Sequence, residues 1–196
     1  MFRIENFSVS LGQETIIEGL NLEVDFPSII AFTGNNGSGK STFFNALRKK
    51  IDCKGRVTIN GRETKAQDFS YLGQSYSFSF PFLVSDFIRI NASLDYGDEM
   101  YHQILDTLEI HDLLNKSINQ ISQGQLQKCL IAQTLMQKSE IILLDEPESF
   151  LDIKSKKQFC KLLKEYTNQI KKIGLIISHD QNIVAQIADK EITFGL

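Results

Sequence analysis

Short hydrophobic segments separated by turn-forming residues make up the beginning of the chain. Within residues 4–33, runs of alternating or continuous apolar residues are interrupted by Gly12, Gly19 and Pro27. This pattern is typical of β-strands joined by turns. It predicts a group of antiparallel strands that leads into a buried strand at Ile29 to Phe32.

Helical patterns follow further along the chain. A helix-forming stretch at Thr42 to Lys50 comes directly after a glycine-rich segment. Apolar residues spaced by three and four predict helical structure between about residues 85 and 114. Ser122 is a suitable N-cap for another helix at Leu126 to Met136.

Further strands are predicted where short apolar runs end in turn residues or acids. Two of these runs, Ile141 to Leu144 and Leu175 to Ile177, are apolar throughout, as in parallel strands buried on both faces. The lysine-rich stretch Lys154 to Gln169 predicts an amphipathic crossover helix between them. Other strands are expected at Val57 to Ile59, before the Asn60-Gly61 turn, and at Phe69 to Leu72.

Composition limits the class of protein. The chain has 196 residues, of which 42% are hydrophobic and 23% charged, which fits one globular unit with a packed core. The formal net charge is −3, from 21 basic and 24 acidic residues. This balance gives no general attraction to polyanions, so no nucleic-acid partner is expected.

The three cysteines indicate a reducing compartment. Cys53, Cys129 and Cys160 are odd in number and form no C-x-x-C pair, which disfavours a disulfide scaffold or a zinc site.

The N-terminus carries no secretory pattern, and we expect no regulatory domain at the C-terminus. The longest apolar runs fall far short of the roughly 20 residues of a membrane helix. Any membrane contact is therefore expected to require another chain.

The strongest chemical motif is G-N-N-G-S-G-K-S-T, which matches the P-loop pattern G-x-x-x-x-G-K-[ST]. It lies between a predicted buried strand and a predicted helix, so a simple glycine-rich turn is a weak alternative. Backbone N–H groups of such a loop surround phosphates. Lys40 should reach the β- and γ-phosphates and Ser41 should ligate Mg²⁺. The predicted nucleotide-binding residues are Gly34, Asn35, Asn36, Gly37, Ser38, Gly39, Lys40, Ser41 and Thr42.

A second motif places two acids after a buried strand. In I-I-L-L-D-E-P, Asp145 and Glu146 follow the strand at Ile141 to Leu144. Ligands of parallel sheets bind at such carboxyl ends. Asp145 is suited to hold Mg²⁺, and Glu146 to polarise an attacking water. Alone, this pair is more often the start of a loop; beside a P-loop, the catalytic interpretation is favoured.

The segment I-S-Q-G-Q, at residues 121–125, decides between the many P-loop classes. With it, the chain resembles the ATP-binding cassette (ABC) ATPases, whose signature is usually L-S-G-G-Q. The resemblance covers nearly the whole chain, and its motifs occur in the family order. They are the P-loop at 34–42, the Q-loop residue Gln74, the signature at 121–125, the Walker B segment at 141–146, a D-loop-like segment at 149–152 and the switch histidine His179.

The resemblance implies a head-to-tail pair of cassettes around two Mg-ATP, formed with a second ABC subunit as a homo- or heterodimer. Ser41, Gln74 and Asp145 would then serve the metal. Glu146, His179 and Lys40 would be the catalytic residues: Glu146 as general base or water orienter, His179 as γ-phosphate sensor and Lys40 as phosphate ligand. The signature residues Ser122, Gly124 and Gln125 would complete the nucleotide site of the opposite subunit. By itself each signal is weaker, since Ser-x-Gly-Gln also describes a capped helix and lone histidines or glutamines are usually surface residues.

The implied fold is α/β: a P-loop NTPase core with a parallel sheet, an N-terminal antiparallel β subdomain and a small α-helical insert. We expect one ABC ATPase domain over residues 1–196. Residues 1–74 and 136–196 would form the core, and residues from about 75 to 135 the helical subdomain that carries the signature.

Two positions depart from the family pattern. Gln123 replaces the first signature glycine and adds a side chain near the expected subunit contact. Leu11, followed by Gly12, stands where an aromatic residue usually stacks on adenine, so it would give only apolar contact. Phe7 is an alternative if the strand register differs.

The segment S-F-S-F-P-F-L-V-S-D-F, at 77–87, resembles a pattern of importer cassettes for iron siderophores, haem and cobalamin. Phe78, Phe80 and Phe82 alternate and could dock a membrane subunit, or could equally pack the core of the insert. We expect a cytoplasmic ATPase subunit held on the inner face of the membrane by a permease. The alternative is a soluble ABC ATPase such as an iron-sulfur assembly factor; a P-loop kinase has no use for the signature or His179.

Overall fold

The computed structural model describes residues 1–74, 76, 80–93 and 97–195, without the side chains of residues 97 and 98. Its strands are β1 (Phe2–Leu11), β2 (Glu14–Val24), β3 (Ser28–Gly34), β4 (Lys54–Ile59), β5 (Arg62–Glu63), β6 (Phe69–Leu72), β7 (Ile141–Asp145), β8 (Ile173–Ile177) and β9 (Lys190–Phe194). Its helices are α1 (Lys40–Leu47), α2 (Val84–Arg89), α3 (Gly97–Leu108), α4 (Gln123–Met136), α5 (Ile153–Gln169) and α6 (Gln181–Ile187).

A parallel sheet lies at the centre of the molecule, with the strand order β6-β7-β8-β3-β9. Every residue of β7 and β8 is buried, because layers cover both faces of the sheet. Helices α2 to α6 pack on one face. Helix α1 and the antiparallel strands pack on the other. This arrangement confirms the α/β fold with a parallel core sheet and an N-terminal antiparallel β subdomain.

The antiparallel sheet has the order β2-β1-β4-β5. The prediction of a turn at Gly19 is wrong. Gly19 does not separate two strands; it lies inside β2 with φ 60°, where the register between β1 and β2 shifts. A β-bulge accommodates this extra residue, and glycine adopts the positive φ without steric cost. The Asn60-Gly61 turn is confirmed, with both residues at positive φ between β4 and β5.

The segment around residues 85–114 is less continuous than its apolar spacing predicts. Helix α2 ends at Arg89 and α3 begins at Gly97, so the expected helical stretch is interrupted. Asn91 has φ 57° just after α2, a left-handed conformation that ends an α-helix. Helix α4 begins at Gln123 rather than at Leu126, directly after Ser122. The helices share one hydrophobic core with the sheet face they cover.

Two C-terminal elements were not expected from the sequence. Helix α6 follows β8, and β9 pairs in parallel with β3 at the edge of the central sheet. The residues of β9 are mostly exposed, so K-E-I-T-F lacks the apolar run of a central strand. The Asp189 carboxylate accepts a 2.8 Å hydrogen bond from the Ile29 amide and holds this edge to the start of β3. Among the described residues, no helix combines the length and hydrophobicity needed to cross a bilayer.

Aromatic rings fill the space between β3 and α1. Phe43 of α1 contacts Phe7, Phe32 and Phe194, with ring centroids 5.0 to 5.6 Å apart. These four side chains are buried and come from four different elements. The start of α1, where the P-loop ends, is therefore fixed from below by ring packing.

Phe43→Ala should lower the free energy of unfolding by about 3–5 kcal/mol, because it leaves a cavity beneath the P-loop. Urea denaturation measures the change. Phe80→Ala is the matched control: Phe80 is 69% exposed, and its removal should change the stability by no more than about 0.5 kcal/mol. Equal losses for the two variants would contradict this account of the core.

Candidate nucleotide site

The P-loop connects the end of β3 to the start of α1. Gly39 precedes α1 with φ 95°, and the first turn of α1 contains no acidic residue. The loop is closed by a hydrogen bond from the Ser38 amide to the Asn35 carbonyl, 3.2 Å long. Free N–H groups at the start of α1 and the helix dipole favour an anion at this position.

Two glycines of the loop are required by close packing. A Cβ atom on Gly34, whose φ is 129°, would lie 2.3 Å from the Phe194 carbonyl oxygen. A Cβ on Gly39 would lie 2.5 Å from Ile16 Cγ2. Strands β9 and β2 therefore hold the loop in the shape that brings its amides together.

Lys40 is buried at the base of the loop, with 6% of its surface exposed. Its ammonium donates hydrogen bonds to the carbonyls of Gly34 and Asn35, at 2.9 and 2.8 Å, and approaches Ser38 Oγ at 3.4 Å. Phosphate oxygens bound inside the loop would compete with these carbonyls for the same positive charge. The role of Lys40 as a phosphate ligand stays a prediction.

A cavity of about 430 Å³ opens above the loop and brings several separate motifs together. Its polar lining comes from the P-loop and from the loops after β6, β7 and β8. The residues that line it are Asn36, Gly37, Gly39, Lys40, Ser41, Thr42, Gln74, Glu146, Ile177 and His179. Residues separated by more than a hundred positions in the chain thus surround one space.

Asp145 lies at the end of β7, almost fully buried beside this cavity. Its carboxylate accepts hydrogen bonds from Ser41, from the Tyr71 hydroxyl at 3.4 Å and from the Gln74 amide at 3.4 Å. Burial raises the pKa of Asp145, the three hydrogen bonds oppose that rise, and the charge of Glu146 adds to it. A cation at this carboxylate would stabilise its ionised form.

The side chains around Asp145 suit a magnesium ion. The Ser41 hydroxyl, the Asp145 carboxylate and the Gln74 amide all provide oxygen ligands, which Mg²⁺ prefers. In the described ranges, no group of three or more histidine, cysteine or acidic side chains could hold a metal alone. Magnesium commonly binds through one or two protein ligands and substrate phosphates, and this donor set fits that mode.

Glu146 and His179 lie next to each other in the lining of the cavity. His179 Nε2 lies 3.3 Å from Glu146 Oε1, and the Glu146 amide donates a 2.9 Å hydrogen bond to the Ile177 carbonyl. Glu146 has φ 52°, a left-handed conformation that is rare outside glycine. Non-glycine residues in this region often occur at functional sites, where surrounding contacts hold them.

The signature residues do not line this cavity. Ser122 caps α4: its hydroxyl accepts from the Gln125 amide at 3.2 Å, and the Gln125 side chain accepts from the Ser122 amide at 3.0 Å. A Cβ on Gly124 would lie 2.9 Å from the Phe150 carbonyl oxygen. Ser122 and Gln123 are exposed to solvent. Within one chain, the signature therefore contributes nothing to the P-loop cavity.

Leu11 and Phe7 are the two residues predicted as alternatives for the contact with adenine. Leu11 is 46% exposed at the end of β1 and does not line the cavity. The alternative, Phe7, is wrong, because its ring is fully buried against Phe43 in the core below the P-loop. Of the alternating phenylalanines, Phe78 lies outside the described residues, and Phe80 and Phe82 are exposed.

Three residues near the site were missed by sequence reasoning. Tyr71 bonds to Asp145, and the buried Glu148 bonds to Ser178. Tyr71, Glu148 and Ser178 each lie within three residues of a predicted motif residue, but none belongs to a motif pattern. Only the polar character of Glu148 and Ser178 next to buried strands could have drawn attention to them.

The ABC transporter family model matches residues 17–149, more than half of the chain. This chain belongs to the ABC transporter family. As predicted, it is an ATP-binding cassette that hydrolyses ATP. The identification agrees with the geometry, since the P-loop and both acids lie inside the matched segment.

Curated relatives span most of this cassette. The petrobactin import ATP-binding protein YclP of Bacillus subtilis is 28% identical over 204 residues, covering 96% of this chain and 81% of that protein. The zinc import ATP-binding protein ZnuC of Wigglesworthia glossinidia brevipalpis is 30% identical, covering 96% and 80%. The fold also matches a dimeric post-hydrolysis structure of the cassette MJ0796 bound to ADP and Pi, with a TM-score of 0.80, 24% identity and coverage of 99% and 94%.

Gly34→Ala should destabilise the ABC cassette more than Gly37→Ala does. Both residues have positive φ, which alone costs an alanine about 1–2 kcal/mol. Only Gly34 would also press a methyl group against a backbone carbonyl; no atom lies within 4 Å of a Cβ at Gly37. Denaturant unfolding compares the two variants, and equal stabilities would argue against the packing of β9 on the P-loop.

Proposed function

We propose that this cassette is the ATP-hydrolysing subunit of an importer, that it dimerises with a second cassette around two Mg-ATP, and that it drives a separate membrane permease. The proposal of a dimer rests on the separate locations of the sequence motifs in the structure. The P-loop, Glu146 and His179 surround one cavity, whereas the signature lies elsewhere on the same chain. A second copy supplies the missing signature to each cavity.

The hydrolytic step depends on positioning and on charge neutralisation. Lys40 and the P-loop amides hold the phosphates, and Glu146 orients the water for in-line attack on the γ-phosphate. His179, 3.3 Å from Glu146, contacts the γ-phosphate and holds the glutamate side chain. Ser41, Asp145 and Gln74 would hold Mg²⁺, which supplies charge neutralisation at the phosphate oxygens.

The start of α4 is chemically suited to face a γ-phosphate of the other subunit. Ser122 and Gln123 are exposed, and the helix amides and dipole point outward from the cap. The Ser122 hydroxyl accepts the capping bond, so its proton remains able to donate. The solved MJ0796 cassette is dimeric with ADP and Pi, which supports the same mode of assembly here.

The permease contact is proposed at an exposed apolar surface formed by Phe80, Phe82 and Leu83. Their exposed fractions are 69%, 40% and 45%, and they follow Gln74 by fewer than ten residues. A segment next to Gln74 can transmit movement to the metal site through the Gln74 to Asp145 contact. As cargo we propose a metal chelate of the siderophore, haem or cobalamin kind, supported by the relatives named for petrobactin and hemin import.

Glu146→Gln should bind ATP but lower the turnover number by at least about 100-fold, because the amide cannot act as a base toward water. The stalled protein should accumulate as a dimer with ATP and Mg²⁺. Steady-state phosphate release and analytical ultracentrifugation measure the two effects. Turnover at the wild-type rate would show that Glu146 is not the base.

Ser122→Arg should reduce ATP hydrolysis by about 100-fold while the monomer still binds nucleotide, because the substitution blocks only the signature contributed to the other subunit. Fluorescent-nucleotide titration and phosphate release are compared. Ser117→Arg is the matched control, since Ser117 also caps a short helical turn through a capping box. Equal loss of binding and hydrolysis in Ser122→Arg would argue against a signature that acts on the partner.

The double substitution Phe80→Ser and Phe82→Ser should leave ATP hydrolysis by the free subunit unchanged and abolish its association with an integral membrane partner. Affinity purification from membranes, followed by identification of the bound proteins, measures the association. Recovery of a soluble complex instead, by wild type and variant alike, would favour a non-transport ABC ATPase over an importer.

A further inference from the structure

A buried acid lies two residues after the proposed general base. Glu148 is 8% exposed, and its carboxyl accepts a hydrogen bond from the Ser178 hydroxyl. Ser178 is fully buried, and its oxygen accepts a 3.1 Å hydrogen bond from the Asp180 amide. The hydroxyl proton is therefore directed at Glu148. Neither residue lines the nucleotide cavity, so neither is available to contact the phosphates.

This hydrogen bond joins the two loops that carry the proposed catalytic pair. Glu146 and Glu148 follow β7, whereas Ser178 and His179 follow β8. The two strands are neighbours, and Asp145 pairs with Ile177 at their ends. Beyond that pair, the loops are linked by the Glu146 amide to the Ile177 carbonyl, by Glu146 to His179, and by Glu148 to Ser178. The side chains of this last link are the most deeply buried.

The backbone of Glu146 needs such support. Its φ of 52° places it in a conformation that side chains rarely adopt, and such a conformation persists only where neighbouring contacts fix it. Within the same loop, the Ser149 amide donates to the Glu146 carbonyl and the Leu151 amide to the Glu148 carbonyl, both at 3.1 Å. These bonds shape the loop but do not tie it to β8.

A buried carboxyl is a costly way to fill space. Burial raises the pKa of Glu148, and the hydrogen bond from Ser178 opposes that rise. An apolar side chain would fill the same volume without this desolvation penalty. The polar group at this position is accounted for by a requirement to hold Ser178 and the adjacent His179 in a fixed orientation.

We propose that Glu148 is a positioning residue for ATP hydrolysis, which acts through Ser178 to hold His179 and Glu146 in register across the ends of β7 and β8. This inference rests on the roles proposed above for Glu146 and His179. The positioning role requires that Glu148 accepts the hydrogen bond from Ser178; it does not require that the side chain is charged.

The test compares four variants of the full chain in steady-state ATP hydrolysis. Glu148→Leu and Ser178→Ala remove the hydrogen bond from opposite sides, and each should lower kcat by about ten- to a hundredfold while the KM for ATP changes less than about twofold. Glu148→Gln keeps the acceptor and should retain most of kcat. The double variant Glu148→Leu with Ser178→Ala should lose no more activity than the worse single variant, because both remove the same interaction.

Ser70→Ala is the matched control for loss of a buried serine hydrogen bond. Ser70 is buried in β6 and bonds to Ser139 at 3.0 Å, away from the catalytic loops. It should lower thermal stability comparably to Ser178→Ala and leave kcat unchanged. The inference is overturned if Glu148→Leu keeps wild-type kcat, if KM rises in place of the fall in kcat, or if Glu148→Gln loses as much activity as Glu148→Leu.

Glu146→Gln separates this inference from the function on which it rests. If Glu146→Gln stops turnover while Glu148→Leu does not, the positioning role fails and the proposed catalytic role remains. If Glu146→Gln turns over at the wild-type rate, the catalytic role fails, and the positioning role fails with it.

Discussion

The structure depends on the alignment of three neighbouring parallel strands, β3, β7 and β8, whose carboxyl ends meet at one edge of the central sheet. In-register pairing fixes this edge: Phe32 and Asp145 both pair with Ile177. The P-loop, the Asp145-Glu146 pair and His179 each begin where one of these strands stops. Backbone hydrogen bonding in the sheet therefore brings together groups from distant parts of the chain, as in other parallel sheets that bind ligands at this edge.

The layers on this sheet leave the signature outside the P-loop cavity of its own chain. One face is covered by rings that support the P-loop, and the other by helices that include α4. Helix α4 packs so that the Gly124 backbone lies against the Phe150 carbonyl, and Ser122 and Gln123 at its start face solvent instead of the cavity of the same chain. In the proposed dimer, these exposed residues would face the nucleotide bound by the second cassette.

Much of this architecture could be predicted from the sequence because its signals are local. The P-loop, the buried strands before it and before Asp145, and the Ser122 cap each depend on residues that are close together in the chain.

Contacts that depend on packing could not be predicted. The sequence alone predicts a turn at Gly19, since the bulge there depends on the register between β1 and β2. It also leaves Phe7 as a candidate for adenine contact, since the burial of Phe7 against Phe43 is a tertiary contact. Strand β9 was missed because edge strands lack a continuous apolar run. Glu148 and Ser178 lie next to known motifs, but only the pairing of β7 with β8 brings them together.

The central claim is that each reaction centre is shared between two copies, with the P-loop from one and the signature from the other. The most direct measurement mixes two singly inactive variants, Lys40→Met, which lacks the phosphate ligand, and Ser122→Arg, which lacks the signature. A mixed dimer contains one site built from the intact P-loop of one copy and the intact signature of the other. ATP hydrolysis should therefore appear on mixing and depend on the ratio of the two proteins. No activity at any ratio, although mass measurement shows mixed dimers, would contradict the shared site.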